Sequence, residues 1–436
     1  MTSSRFNNIH PGLSHQEALA ILRRPIAELE AASDYYMAAS HLVNFPGEAS
    51  EDALIALVRN DQPEQPVQLA RRKAVEVLAL LGCERAIPAI GDCLNSDDRY
   101  LIENSTWALQ ELKCTDVTLH QRLQELLADP EQNRRVVVQC LAALGVQAAA
   151  DAIAPLQDDS VPGVRGAALA AIARLQGTRS RVMELEDLFT LPNQMDRQSA
   201  LQDAIDADGR ELLPSILQTP VSPVFRMRAL KALWPSDQQD HAGLDLLDCL
   251  DGLLLDDPQQ LVLVHRYDDE PAEDFLIQEF FGTDFSRCYL ALTTLKRRDP
   301  AVLWPLLWQR WQEEAHNDYG AHYFFIRLWA ALSPWPESAQ PIQEALLMEA
   351  IASQRPQFLK SKPAAMLAMA ELAPNRALEL SPAWLDPQQQ PFWECRYAAL
   401  MVIEQAGASQ RLTEVVAGAL GDPDPFVQAK AQRLIG

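Results

Sequence analysis

Six polar side chains able to bind ligands or move protons crowd into twelve residues: His316, Asn317, Asp318, Tyr319, His322 and Arg327, around Gly320. Tyr323 adds a second phenol, and five of the nine Trp lie between Trp304 and Trp335. An acid, phenols, two imidazoles and a guanidinium beside aromatic walls suit a planar, conjugated ligand that carries carboxylates. A plainer reading stands beside this one. Trp304, Trp308 and Trp311 share one helical face and fit a core stripe, and Asn317 or Asp318 can cap the helix that carries Phe324 to Trp329. Capping explains one of the six polar residues and leaves the others to be placed.

The elements that would position these groups are written in a repeating phrase. Arg71, Ala74, Val77-Leu78 and Leu81-Gly82 recur as Arg134, Val137, Cys140-Leu141 and Leu144-Gly145, with blurred copies ending at residues 113 and 176. The endings at 82, 113, 145 and 176 are 31, 32 and 31 residues apart. Apolar spacing of i, i+3, i+4, i+7 at such a period marks an all-α solenoid of paired, HEAT-like helices, expected to form one elongated, curved array. A fainter copy at Arg396, Ala399, Val402-Ile403 and Ala406-Gly407 precedes a last helix around Pro425 to Ile435.

Three segments are expected: repeats over 1–236, a divergent acidic segment over 237–300, and helical repeats with the aromatic cluster over 301–436. Between Asp237 and Asp284 there are fourteen Asp or Glu and one Arg, Arg266. The run from Asp240 to Leu250 reads as a helix, and the acids as solvated faces or as a rim that repels acidic surfaces. A net charge of -23 argues against a nucleic-acid grip, which needs a basic face. No uninterrupted apolar stretch is long enough to span a membrane, and Met1 to Phe6 lacks an apolar signal core, so a cytoplasmic protein is expected. Seven Cys without a CxxC pair read as reduced, mostly buried thiols, with no metal site.

Three stretches carry a family resemblance: Asp34 to Leu42, Arg71 to Leu78, and above all Asp97-Asp98-Arg99-Tyr100-Leu101-Ile102-Glu103-Asn104 with Trp107. They resemble the E/F-type phycobilin lyases of cyanobacteria, HEAT-repeat proteins that attach linear tetrapyrroles to phycobiliprotein cysteines. The length resembles the single-chain phycoerythrin α-subunit lyases, some of which also isomerise phycoerythrobilin to phycourobilin. The Asn-His-Cys motif of isomerising partners is not present. The resemblance implies phycoerythrobilin as substrate rather than a resident cofactor, and a phycoerythrin α-subunit as partner, with a second lyase or chaperone chain as a further one. A non-catalytic scaffold or chaperone for phycobiliprotein assembly is the alternative.

On that resemblance Asp318 is the candidate contact to the pyrrole nitrogens and Tyr319 the candidate acid or base. Arg327, His316, His322 and Arg99 are candidates for the propionates, with Trp308, Trp311, Tyr323, Tyr100 and Glu103 completing the bilin site. Arg99 and Glu103 also read as an i,i+4 surface pair. Arg71, Arg72 and Lys73 are the candidate contacts for the acceptor protein, and the reacting thiol is assigned to that protein rather than to a Cys of this chain.

Overall fold

In a computed structural model of the chain, which describes residues 12–235 and 240–436, helix follows helix, as the repeat predicts. The chain packs as two compact units, Met1–Val182 and Met183–Gly436. In the first, the helices Gln65–Leu80, Arg99–Glu111, Arg134–Ala143 and Pro162–Gln176 stack one on the next. The shorter Ile87–Asp92 and Val117–Leu126 helices form the other layer, with Pro88 in the first turn of its helix. Ala74, Leu78, Ala108, Leu109, Val138 and Leu141 are fully buried between the stacked helices, so each repeat supplies a face that only its neighbour can cover.

The repeated ending is a left-handed turn. Gly82, Gly145 and Gly177 each have φ 68°, and Cys83 N–H and Val146 N–H reach back to Leu78 and Leu141 carbonyls at 3.0 Å. At the fourth copy this conformation falls on Gly177, one residue beyond the predicted ending. Lys113, at φ 52°, adopts the same turn despite its β-carbon.

A second device couples successive repeats. Arg72 clamps both carboxylate oxygens of Asp98 at 2.8 Å, while Asp98 caps the next helix by accepting from the N–H groups of Tyr100 and Leu101. Arg396 grips Asp422 in the same bidentate way at 2.6 and 2.8 Å.

In the second unit the sequence is read differently by the chain in two places. Residues 240–245 are not helical: Asp240–His241 pairs antiparallel with Leu244–Asp245 across Ala242 and Gly243, both at positive φ. This two-residue turn needs left-handed backbone, which stops a helix from starting before Leu246; Asp245 then caps the Leu246–Leu255 helix. That helix packs on Pro223–Leu233, Ser361–Leu372, Trp393–Gln405 and Pro425–Ile435, so the acidic segment shares a core with the C-terminal helices instead of standing apart. The predicted boundary at 236/237 lies outside the described residues, and that at 300/301 falls inside the second unit. The acids are also less free than a solvated rim: Asp251 pairs with the buried Lys430, and Asp245 and Asp248 with Arg433.

Among the described residues no helix is long and apolar enough to cross a membrane, and no cluster of His, Cys, Asp or Glu could hold a metal ion. All seven Cys are free thiols, six of them buried.

The left-handed turn gives a direct test. Nothing lies within 4 Å of a β-carbon at Gly145, so Gly145→Ala meets conformational strain alone and is expected to cost about 1 kcal/mol. Lys113→Ala already has its β-carbon in this conformation and should change stability by less than about 0.5 kcal/mol. Urea denaturation followed by far-UV circular dichroism measures both.

Candidate functional site

An apolar pocket of about 560 Å³ lies within the second unit. The Pro223–Leu233 helix supplies one wall, because Val224 and Arg228, and Met227 and Lys231, recur at i,i+4 on one face. Leu253 and Leu254 come from the Leu246–Leu255 helix, and Leu359, Lys360, Pro363 and Ala364 from the start of Ser361–Leu372 and the turn before it. Tyr323, Phe392 and Glu394 close the lining. Such a pocket, apolar with a few charges, has the size and character of a site for one medium-sized organic ligand.

The walls are held by a buried carboxylate. Asp256, at the C-terminal end of Leu246–Leu255 and 1% exposed, accepts from the guanidinium of Arg226, from the Tyr289 hydroxyl at 2.9 Å and from the Tyr323 hydroxyl at 2.5 Å. Burial and the Asp256 charge hold both phenols well above their ordinary range, so they remain protonated donors. Arg226, Tyr289 and Tyr323 stand on three different helices, which this one carboxylate joins to a fourth.

Two further groups in the lining titrate unusually. Burial brings the Lys360 ammonium down to about 7, with Asp256 and Asp318 opposing. Its Nζ lies 3.5 Å from the centre of the Tyr319 ring, 4.6 Å from Phe285 and 5.2 Å from Tyr323, and has no hydrogen-bond partner. Burial raises the Glu394 carboxyl, against the nearby Lys231. Lys231 itself lies over Trp393 and Phe426, at 4.7 and 5.1 Å from the ring centres, and with Arg228 forms an exposed cationic edge.

The predicted cluster divides between this site and the core. Tyr323 lines the pocket, and Tyr319, 47% exposed, covers Lys360. Trp311 is core: it packs on Trp329 at 4.9 Å and on His322 at 5.1 Å. His322 is buried, stacked on Phe358 at 4.1 Å and bonded to the Ser361 hydroxyl, and burial lowers it to about 4, so it stays neutral. Trp308 stacks on Trp304 at 6.0 Å, as the stripe reading predicts. His316 is exposed, and both its backbone N–H and its ring Nδ1 meet the Trp311 carbonyl, where the helix widens into a π-type turn over Trp311–Ala315. Arg327 is half-buried, with Nε unpaired. None of Trp308, Trp311, His316, His322 or Arg327 lines the pocket.

Asp318 is a cap. One of its oxygens accepts from Gly320 N–H at 2.8 Å and Ala321 N–H at 2.7 Å, opening the Ala321–Ala331 helix. Gly320 is required there, since a β-carbon would meet the Phe280 carbonyl at 2.9 Å. Fixing this turn sets Tyr319 against Lys360.

Of the residues predicted in the first unit, Arg71, Arg72, Arg99 and Tyr100 line a polar hollow of about 770 Å³, and Lys73 and Glu103 do not. Each of these cations already has a partner within the unit. Arg71 donates to the Val58 carbonyl, Arg72 clamps Asp98 over the Tyr100 ring, and Lys73 pairs with Glu76. All three contacts lie within the repeat array; the Arg72 and Lys73 charges are paired there, whereas the Arg71 guanidinium meets a neutral carbonyl. Arg99 pairs with Glu131 at 2.9 Å, not with Glu103, because Glu131 precedes the next helix at the same level; Glu103 is half-buried.

Lys360 and Glu394 were invisible as a site in the sequence, where they stand 34 residues apart in no shared motif. Only the packing of helices far apart in the chain brings them to one cavity.

No protein-family model matches the chain. It is 42% identical over 409 residues to the bilin biosynthesis protein CpeY of Synechococcus sp. strain WH8020, covering 93% of this chain and 98% of that protein. It is 36% identical over 397 residues to an uncharacterized phycocyanin operon protein Y of Pseudanabaena tenuis strain PCC 7409, with 91% and 92% covered. Among solved structures it is similar to the complex of CpcE and CpcF of phycocyanin lyase from Nostoc sp. PCC7120, at 25% identity and a TM-score of 0.47, over 58% of this chain and 99% of that one.

The capping geometry makes a sharp expectation for Asp318. Asp318→Asn retains the acceptor and should leave thermal stability unchanged within about 0.5 kcal/mol, whereas Asp318→Ala should cost about 1 kcal/mol, read by calorimetry of the two variants.

Proposed function

The chain belongs to the CpeY branch of the E/F-type phycobilin lyase family, and we propose that it attaches phycoerythrobilin through a thioether to a cysteine of a phycoerythrin α-subunit. The observation that carries this reading is the pocket: apolar walls for a conjugated tetrapyrrole, with Arg228, Lys231 and Lys360 as the cations that its two carboxylates require.

The reaction is an addition. The acceptor thiol sulfur bonds to the exocyclic carbon of the ring A ethylidene, the double bond opens, and a proton goes to the neighbouring ring carbon. No atom leaves and nothing is oxidised, so the protein has only to bind, orient and manage protons. A carboxyl whose proton is held more tightly by its half-buried, apolar surroundings is the candidate proton donor for polarising the tetrapyrrole, and Glu394 is that group. Tyr319, on the far side of Lys360 from the core, is the second proton carrier, set in place by the Asp318 cap.

The thiol comes from the acceptor protein. Burial pushes Cys140 and Cys395 up to about 12 and Cys249 to about 11, and a protonated, buried thiol is a poor nucleophile. Bilin is thus a transient, non-covalent substrate here, and a cytoplasmic setting keeps both the acceptor and these thiols reduced.

Co-expression with a bilin-producing pathway and an α-subunit, followed by denaturing electrophoresis and zinc-enhanced fluorescence, tests the proposal. Colour is expected on the α-subunit alone. Colour retained by this chain would overturn the non-covalent step, and none on either would favour a scaffold. The absorption spectrum of the product separates retained phycoerythrobilin from phycourobilin, and omission of other lyase chains shows whether one assists. Glu394→Gln should keep bilin affinity within about threefold while lowering the rate of product formation by about 100-fold.

A further inference from the structure

Lys360 is a buried amine without a counter-ion. It is 9% exposed, and its Nζ has no hydrogen-bond partner. The carboxylates near enough to act on it are occupied elsewhere: Asp256 by Arg226, Tyr289 and Tyr323, and Asp318 by the N–H groups that open the next helix. The ring faces of Tyr319, Phe285 and Tyr323 soften the cost, but an aromatic face replaces only part of the hydration that an ammonium loses. A buried amine that meets neither an anion nor a hydrogen-bond partner costs the fold whether charged or neutral, and a core position with no ligand to meet would be filled at lower cost by Met or Leu.

The surroundings indicate what completes it. Lys360 lines the apolar pocket, whose other cations, Arg228 and Lys231, are exposed at its edge. Tyr319, the ring closest to the ammonium, is half-exposed and is not part of the packed core, so it can yield its place to an entering group. An anion that brings its own apolar body satisfies both the charge and the walls.

We infer that Lys360 is the inner anchor of the pocket, forming an ion pair with one carboxylate of the bound tetrapyrrole while the exposed edge takes the other. The inference rests on the proposed bilin site. It makes Lys360 a positioning residue: the pair fixes the depth and direction in which the conjugated system enters, and with them which end of the ligand is presented to the acceptor thiol.

The test compares acid with ester. Purified full-length protein is titrated with phycoerythrobilin and with its dimethyl ester, followed by absorbance, for wild type, Lys360→Met and Lys360→Arg. Lys360→Met is expected to weaken binding of the free acid by about 10-fold or more and that of the ester by less than about threefold, since a charge-assisted pair is lost only for the acid. Lys360→Arg should keep the preference for the acid. Equal weakening of both forms, or an unchanged affinity for the acid, would overturn the inference.

A second probe pair, pyrenebutyrate and its methyl ester, separates this inference from the bilin reading. If wild type binds neither bilin form but prefers pyrenebutyrate to its ester in a Lys360-dependent way, the carboxylate subsite stands and the bilin reading falls. If no preference in either pair depends on Lys360, the subsite falls. Melting curves by circular dichroism verify each variant's fold, and Lys360→Gln, which keeps a polar tip without charge, takes the place of Lys360→Met should that variant not fold.

Discussion

The second unit is organised around the carboxylate of Asp256. It is sealed from water and binds a guanidinium and two phenols from three helices while ending a fourth. Satisfied so completely, the charge is tolerable; with Arg226 removed it would become an uncompensated buried ion costing several kcal/mol. The same bonds fix the Pro223–Leu233 wall through Arg226 and place the Tyr323 ring in the pocket lining. The left-handed backbone at Asp256, φ 44°, belongs to the same arrangement, because it turns the chain out of its helix where the carboxylate must point inward.

This constraint shapes the chemistry beside it. Because Asp256 is committed, Lys360 is left with ring faces and no anion of its own. Because the walls are apolar, the Glu394 carboxyl holds its proton more tightly than it would in water and the Lys360 ammonium holds its proton less tightly. A site that must bind a dianionic, conjugated molecule and move one proton needs such groups, neither of which would keep these properties in water.

The architecture was legible in the sequence because it is local. The 31- and 32-residue spacing, the Gly at the left-handed turns, Pro88 in its first turn and the final Pro425–Ile435 helix follow from backbone rules that act over a few residues. The aromatic cluster was legible as chemistry but not as a place: type and spacing cannot tell a ring that walls a pocket from one that fills a core, and Trp311 and His322 fill the core while Tyr323 does both. In the family-like stretch Asp98 caps its helix, as a polar residue before an apolar run should, but the clamp on it by Arg72, 26 residues away, is written in no local pattern. The pocket itself draws on residues from Pro223 to Glu394, and no local pattern records such a meeting. The hairpin at residues 240–245 was hidden by the apolar periodicity of the helix that follows it.

The proposed seat of the bilin is the apolar pocket of the second unit. A crystal structure of the full chain with phycoerythrobilin tests it most directly. The tetrapyrrole is expected between the Pro223–Leu233 helix and the Phe392–Glu394 wall, with one carboxylate about 3 Å from Lys360 Nζ. Ligand density confined to the polar hollow around Arg72 and Tyr100, with the pocket empty, would contradict it.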